Sequence, residues 1–243
     1  MAGIHMRRVR TDMDTSPVRQ DALLPQARLL QLVSPALPTG GFSYSQGLEW
    51  AVEAGWVRDV DALEDWLVGL IEDGLVHLDL PILARLHQAC QVNDLAGLSR
   101  WGALLLAGRE SHELRHEEHN RARAMLSLLC NLGVAVDARW RAPLVQCQAA
   151  PFALAMTHWQ IARRDGLLGY AWSWLENQVA AAIKLVPLGQ TDGQRVQLKL
   201  AGRLPAVVEQ ALSIGDDEIG ASSSALAIAS ARHETQYTRL FRS

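Results

Sequence analysis

Two histidines four residues apart, His112 and His116, enclose Glu113 in the pattern His-Glu-x-x-His. On a helix that spacing puts both imidazoles on one face, where they can share a zinc ion while the glutamate acts as base on a bound water. Taken literally, the motif describes a zinc-dependent hydrolase using His112, Glu113 and His116. His119 extends the row by one more turn, so a second reading is a transient surface site for a divalent ion at neutral imidazoles. The third reading is a solvated charged face with no chemistry of its own.

The element that carries the histidines weighs these readings. At about 100° per residue, Leu114, Ala122, Met125, Leu128, Leu129 and Leu132 fall on one side of a helix, and His112, His116, His119 and Arg123 on the other. Glu113, Arg115, Glu117, Glu118 and Arg121 surround the histidines, which predicts a wet, charged setting rather than the dry cleft and third protein ligand that zinc hydrolysis requires. The solvated face is the plainest of the three. Gly40-Gly41 lacks the lysine and spacing of a P-loop, and no Gly-x-Ser-x-Gly elbow occurs.

A second block is distinctive for its rigidity. Ser34-Pro-Ala-Leu-Pro-Thr-Gly-Gly-Phe-Ser-Tyr-Ser-Gln-Gly-Leu-Glu-Trp50 is nearly uncharged and aromatic. Pro35 and Pro38 stiffen the chain and bias the residues before them toward extended conformations. Gly40 and Gly41 permit a turn, and Ser43 with Gln46 stands at the spacing of a capping box, predicting a helix from there to a stop at Gly55. Phe42 and Tyr44 either plug the core or present a binding surface. The same alternatives attend Gln236-Tyr-Thr-Arg-Leu-Phe-Arg-Ser243, whose aromatics and arginines are interface-type residues in a segment predicted to order on a partner.

The rest of the chain reads as helix. Leu29 to Val33 form a short apolar helix, and Asp59 or Asp61 starts one bearing Leu63, Trp66, Leu67, Leu70 and Ile71. Asp79-Leu-Pro81 predicts a fresh start, with Asp79 as cap. Asn93 or Asp94 opens another, and Pro151 begins one that Gly166 ends. Trp172 to Val186 follows. Thr191 and Gln194 have capping-box spacing, and that cap decides for helix over strand in Val196 to Leu200. Gly220 to Ala231, rich in Ala and Ser, is a small-faced helix or a connector. The expectation is an all-α protein, a single compact bundle of roughly eight to ten helices, with residues 1–22 a disordered tail, 23–232 the domain and 233–243 an interaction tail.

Composition narrows the function classes. In 243 residues with 49% apolar content there is chain enough for a core without disulfides or metal. A formal charge of −3 and the lack of a long basic run argue against nucleic acid. No apolar stretch approaches the ~18 residues of a membrane span. Cys90, Cys130 and Cys147, odd in number and widely spaced, suit a reducing cytoplasm and small core positions.

The Ser34–Glu49 block, the central Glu110-Ser-His-Glu-Leu-Arg115 and the terminal Arg239-Leu-Phe-Arg-Ser243 together resemble the F-type urease accessory proteins, UreF. The likeness spans most of the chain beyond the first residues, and its first motif is the specific one. It implies a cytoplasmic, nonenzymatic chaperone-like factor in nickel insertion into urease, with no cofactor beyond a transient nickel contact. It also implies a homodimer that joins a UreD/UreH-type accessory protein and recruits a UreG-type GTPase to apo-urease. By the same likeness, partner contacts are expected at Pro38, Gly40, Gly41, Phe42, Ser43, Tyr44, Gln46 and Glu49, and at Tyr237, Arg239, Leu240, Phe241, Arg242 and Ser243.

Overall fold

The computed structural model describes residues 18–243, with side chains from residue 23; residues 1–17, most of the expected tail, lie outside the described residues. The described residues form α-helices and no strand: α1 (Val18–Leu32), α2 (Leu48–Glu53), α3 (Val60–Leu70), α4 (Leu80–Gln91), α5 (Leu95–Ala107), α6 (His112–Asn131), α7 (Ala138–Leu144), α8 (Ala149–His158), α9 (Arg163–Leu185), α10 (Gln190–Ala201), α11 (Leu204–Ser213) and α12 (Ser224–His233). The all-α expectation holds. No described helix is long and apolar enough to cross a membrane.

α4 is the axis of the core. Leu80, Ile82, Leu83 and Leu86 are all wholly buried, and the helix packs against α5, α8, α9 and α11. Burying each such side chain contributes ~1.5–3 kcal/mol, so the centre of the bundle is held by apolar area before any polar contact is counted. Caps of the expected kind begin two helices: Asp59 accepts from the Ala62 amide at α3, and Asp94 from Gly97 at α5. Gly55 lies in the left-handed region past α2, as its stop role demands.

Five expected boundaries are corrected. Asp79 caps nothing, because a π-helical segment, Ile71–Asp79, runs α3 into α4 without a break; the Leu80 amide bonds back to Leu75 O, and the widened turn hands over just before Pro81, which has no amide to bond. Ser43 and Gln46 form no capping box: Ser43 lies in a 3₁₀ turn (Gly41–Ser43), its hydroxyl donates to Gly40 O, and α2 begins only at Leu48 after Gly47. α8 ends at His158, and Gly166 lies inside α9, where a Cβ would collide with Met156 at 2.2 Å; its smallness serves helix packing, not a stop. α10 forms as helix, but it follows Gly189 with no side-chain cap from Thr191. At the other end, α1 starts at Val18, inside the stretch expected to be tail.

Candidate functional site

The site is assembled on Glu113 and Glu117, one turn apart in α6. The N-terminus of this helix is fixed twice. Ser111 accepts from the Leu114 amide, and the Glu234 carboxylate accepts from the amides of His112 and Glu113. Segment 234–243 then leaves α12 and folds back over the Ser34–Trp50 block, instead of waiting outside the fold. Arg242 donates its amide to Ser43 O, and the Ser45 amide donates to Ser243 O, both at 2.8 Å.

Three carboxylates hold this arrangement, Glu49 and Glu117 buried and Glu113 half-buried. Glu49 in α2 accepts from the amides of Leu240 at 2.6 Å and Phe241 at 2.9 Å, and meets His233 Nε2 at 3.2 Å. Glu113 faces His233 Nδ1 at 2.6 Å through one oxygen and Arg239 at 2.5 Å through the other. Glu117 is reached by Arg121 at 2.8 Å, Gln46 at 2.9 Å and the Ser243 hydroxyl at 3.0 Å. Gln46, held at φ 52°, also accepts from Trp174 Nε1 and Gln178 Nε2 on α9. Its side chain is a hub between the block, α6 and α9, so it is unavailable for the local cap. Gly47, at φ +79°, has the Ser230 amide of α12 3.0 Å from where a Cβ would stand, so a side chain there would push α12 and its His233 away.

This network disposes the aromatics unequally. Tyr44 is buried at 6% exposure, whereas Phe42, two residues earlier, is 65% exposed. In the folded-back segment Phe241 is buried with the Lys184 ammonium 5.5 Å over its ring, while Leu240 is 65% exposed and Tyr237 wholly so. An open groove of about 690 Å³ runs between this segment and α6, lined by Tyr44, His112, His116, Asn120 and residues 239–242. A mount of ionic and backbone bonds therefore carries two segments that expose three large apolar side chains, Phe42, Leu240 and Tyr237, residue types common in recognition surfaces.

The His-Glu-x-x-His motif has a different setting from the one its sequence suggested. His112 and His116 are exposed with ring centres 5.3 Å apart, but His119 turns Nδ1 to Val145 O at 3.0 Å, leaving the row. Glu117, Glu118 and Arg121 are buried, not part of a wet face. Both oxygens of Glu113 are engaged, so it is not free to activate water. Among the described residues, no three His, Cys, Asp or Glu side chains are placed to hold a metal ion. The cysteines are free: Cys90 and Cys147 are buried, and burial pushes the Cys90 thiol up to about 12, so it is not a nucleophile.

A profile of the UreF family matches residues 57–201 of this chain. The chain is 51% identical over 216 residues to the urease accessory protein UreF of Pseudomonas putida (strain GB-1), covering 89% of this chain and 96% of that protein. It is 49% identical over 222 residues to the UreF of Alcanivorax borkumensis, covering 89% and 97%, and 46% identical over 231 residues to that of Chromohalobacter salexigens, covering 95% and 100%. The chain belongs to the UreF family of urease accessory proteins.

The UreF profile covers α3 to α10, and both the Ser34–Trp50 block and segment 234–243 lie outside its match. Of the fourteen residues expected to meet partners, the fold brings all but Pro38 and Gly40 into or beside one cluster and sorts them by exposure. Pro38, Phe42, Tyr237, Arg239, Leu240 and Arg242 are exposed; Gly40, Ser43 and Gln46 are half-buried; Gly41, Tyr44, Glu49, Phe241 and Ser243 are buried. Sequence reasoning missed His233, Glu117, Trp174 and Glu234 as members of this site. Apart from Arg121, one turn from Glu117, their partners lie 71 or more residues away, and no spacing rule reaches that far.

Proposed function

We propose that this UreF-family chain is a nonenzymatic adaptor in maturation of the urease nickel metallocentre. It bridges a UreD/UreH-type scaffold and a UreG-type GTPase on apo-urease, and works as a cytoplasmic homodimer. Its contribution is binding energy: assembly positions the GTPase and the apo-enzyme so that nickel delivery follows only in the correct complex.

One observation carries this reading beyond family membership. The Ser34–Trp50 block and segment 234–243 converge on a common mount that leaves Phe42, Leu240 and Tyr237 facing outward. A rigid mount lowers the entropy cost of binding, because the contact residues need not be ordered on encounter. The hydrolase reading loses its base, since Glu113 is held by His233 and Arg239. The test is co-expression with the scaffold, the GTPase and apo-urease, followed by affinity capture of this chain. Recovery of the scaffold and GTPase together supports the adaptor; this chain emerging alone, with urease activated equally well in its absence, overturns it.

A further inference from the structure

His233 is the one described histidine that the fold buries completely and surrounds with carboxylates. Its exposure is 0%. Nδ1 lies 2.6 Å from Glu113 of α6, and Nε2 lies 3.2 Å from Glu49 of α2. A neutral imidazole has a single N–H, so in that form one ring nitrogen would point its lone pair at a carboxylate oxygen inside the protein. The carboxylates have little room for a proton of their own. Both oxygens of Glu49 accept amides from Leu240 and Phe241, and the second oxygen of Glu113 accepts from Arg239. The arrangement is satisfied when the ring carries both protons and donates to each side.

We propose that His233 is a proton-dependent lock on segment 234–243. In the imidazolium form it ties α12 to α2 and α6 and fixes Glu49 where two amides of the segment can reach it. When the ring gives up its second proton, Glu49 Oε2 faces a lone pair at the position where it also serves the Phe241 amide. That contact turns repulsive, and the segment detaches. The shorter bond to Glu113 keeps the remaining proton on Nδ1, so α12 stays attached to α6 while the strap opens.

The neighbouring charges leave this role to His233. From α2 the ring is faced by Glu49, from α6 by Glu113, and from the segment by Arg239, which remains cationic throughout. Glu117, one turn along α6, is engaged by Arg121, Gln46 and Ser243. His112 and His116 are exposed on α6; on α12 itself Arg232 is exposed, and Glu234 just past it is occupied with the α6 amides. The sign follows from the binding of one proton by the locked state: attachment is complete while the ring carries both protons and is lost when rising pH removes one of them.

The experiment is hydrogen exchange of the peptide covering residues 238–243 in the full chain, measured from pH 5.5 to 8.5 and divided by the intrinsic rate. Protection in the wild type is expected to fall about tenfold per pH unit once the ring titrates, as a single linked proton requires. In His233→Gln, which keeps one donor but cannot titrate, that slope is expected to vanish. A flat wild-type profile, or an equal slope in His233→Gln, overturns the proposal. If that variant does not fold, ¹⁵N spectra of histidine-labelled wild type decide: both His233 ring nitrogens protonated at low pH, with proton loss in step with loss of protection, is the expected result. A neutral ring at pH 5.5, or deprotonation that leaves protection unchanged, overturns it.

Discussion

Glu117 and Glu118 are adjacent in α6, both buried, and belong to clusters of different kinds. Glu118 accepts from Arg109 and from the Gln148 amide, and Arg109 also pairs with Asp79 at the end of the π segment. This triad joins the end of the π segment, the α5–α6 connection and α6, and through the Gln148 amide it reaches the start of α8. Burial raises the Asp79 carboxyl most strongly, against the pull of Arg109; the guanidinium, for which burial is the opposing influence, is held well above its usual value by Asp79 and Glu118. Glu117 instead meets Gln46 and Ser243, 71 and 126 residues away, at the edge where the exposed aromatics stand. The contrast teaches that buried charge in this chain has two uses. One group of ions locks elements that apolar packing already brings together, and the other holds surface segments that apolar packing alone would leave loose.

Breaking each side tests the distinction. Arg109→Met strands Asp79 and Glu118 in the core and is expected to cost ~3–5 kcal/mol in urea unfolding followed by circular dichroism. A loss of less than about 1 kcal/mol would dissolve the contrast. Tyr44→Ala, beneath the folded-back segment, should cost ~3 kcal/mol by the same measurement, as for a buried aromatic. Gln46→Ala removes a hub shared by Trp174, Gln178 and Glu117, with an expected cost of ~1–3 kcal/mol.

A pH profile sharpens the core side. Burial, helped by the nearby charge of Arg163, lowers His87 to about 4. The unfolded chain takes up a proton near pH 6.5 that the folded chain refuses until about 4, so stability falls as pH drops between these values. His87→Leu should flatten that acid limb in melting temperatures measured across it. The smallest stability effect is expected at Phe42→Ala, within about 0.5 kcal/mol, because the side chain is already in water.

Much of the first layer was legible without coordinates. The caps at Asp59 and Asp94 and the stop at Gly55 are local rules, and each operates as its spacing predicts. The failures have one physical source. Gln46 had the spacing of a capping partner, but three long-range hydrogen bonds outbid the local one. Asp79 looked like a cap before Pro81, yet its carboxylate was drawn to Arg109. Gly166 looked like a stop, whereas α8 needed its lack of a Cβ. At the site, the His-Glu-x-x-His spacing was visible but its meaning was not, since the residues that engage Glu113 come from 120 and 126 positions further on.

The proposed function turns on Phe42 and Leu240 meeting the scaffold while contributing nothing needed for folding. Affinity capture of the UreD/UreH-type scaffold by wild type and by Phe42→Ala/Leu240→Ala, with melting curves for both, tests it most directly. The account predicts that the double variant melts with the wild type and loses most of the captured scaffold. Equal capture, or a loss of capture that merely follows a collapse in melting temperature, would contradict it.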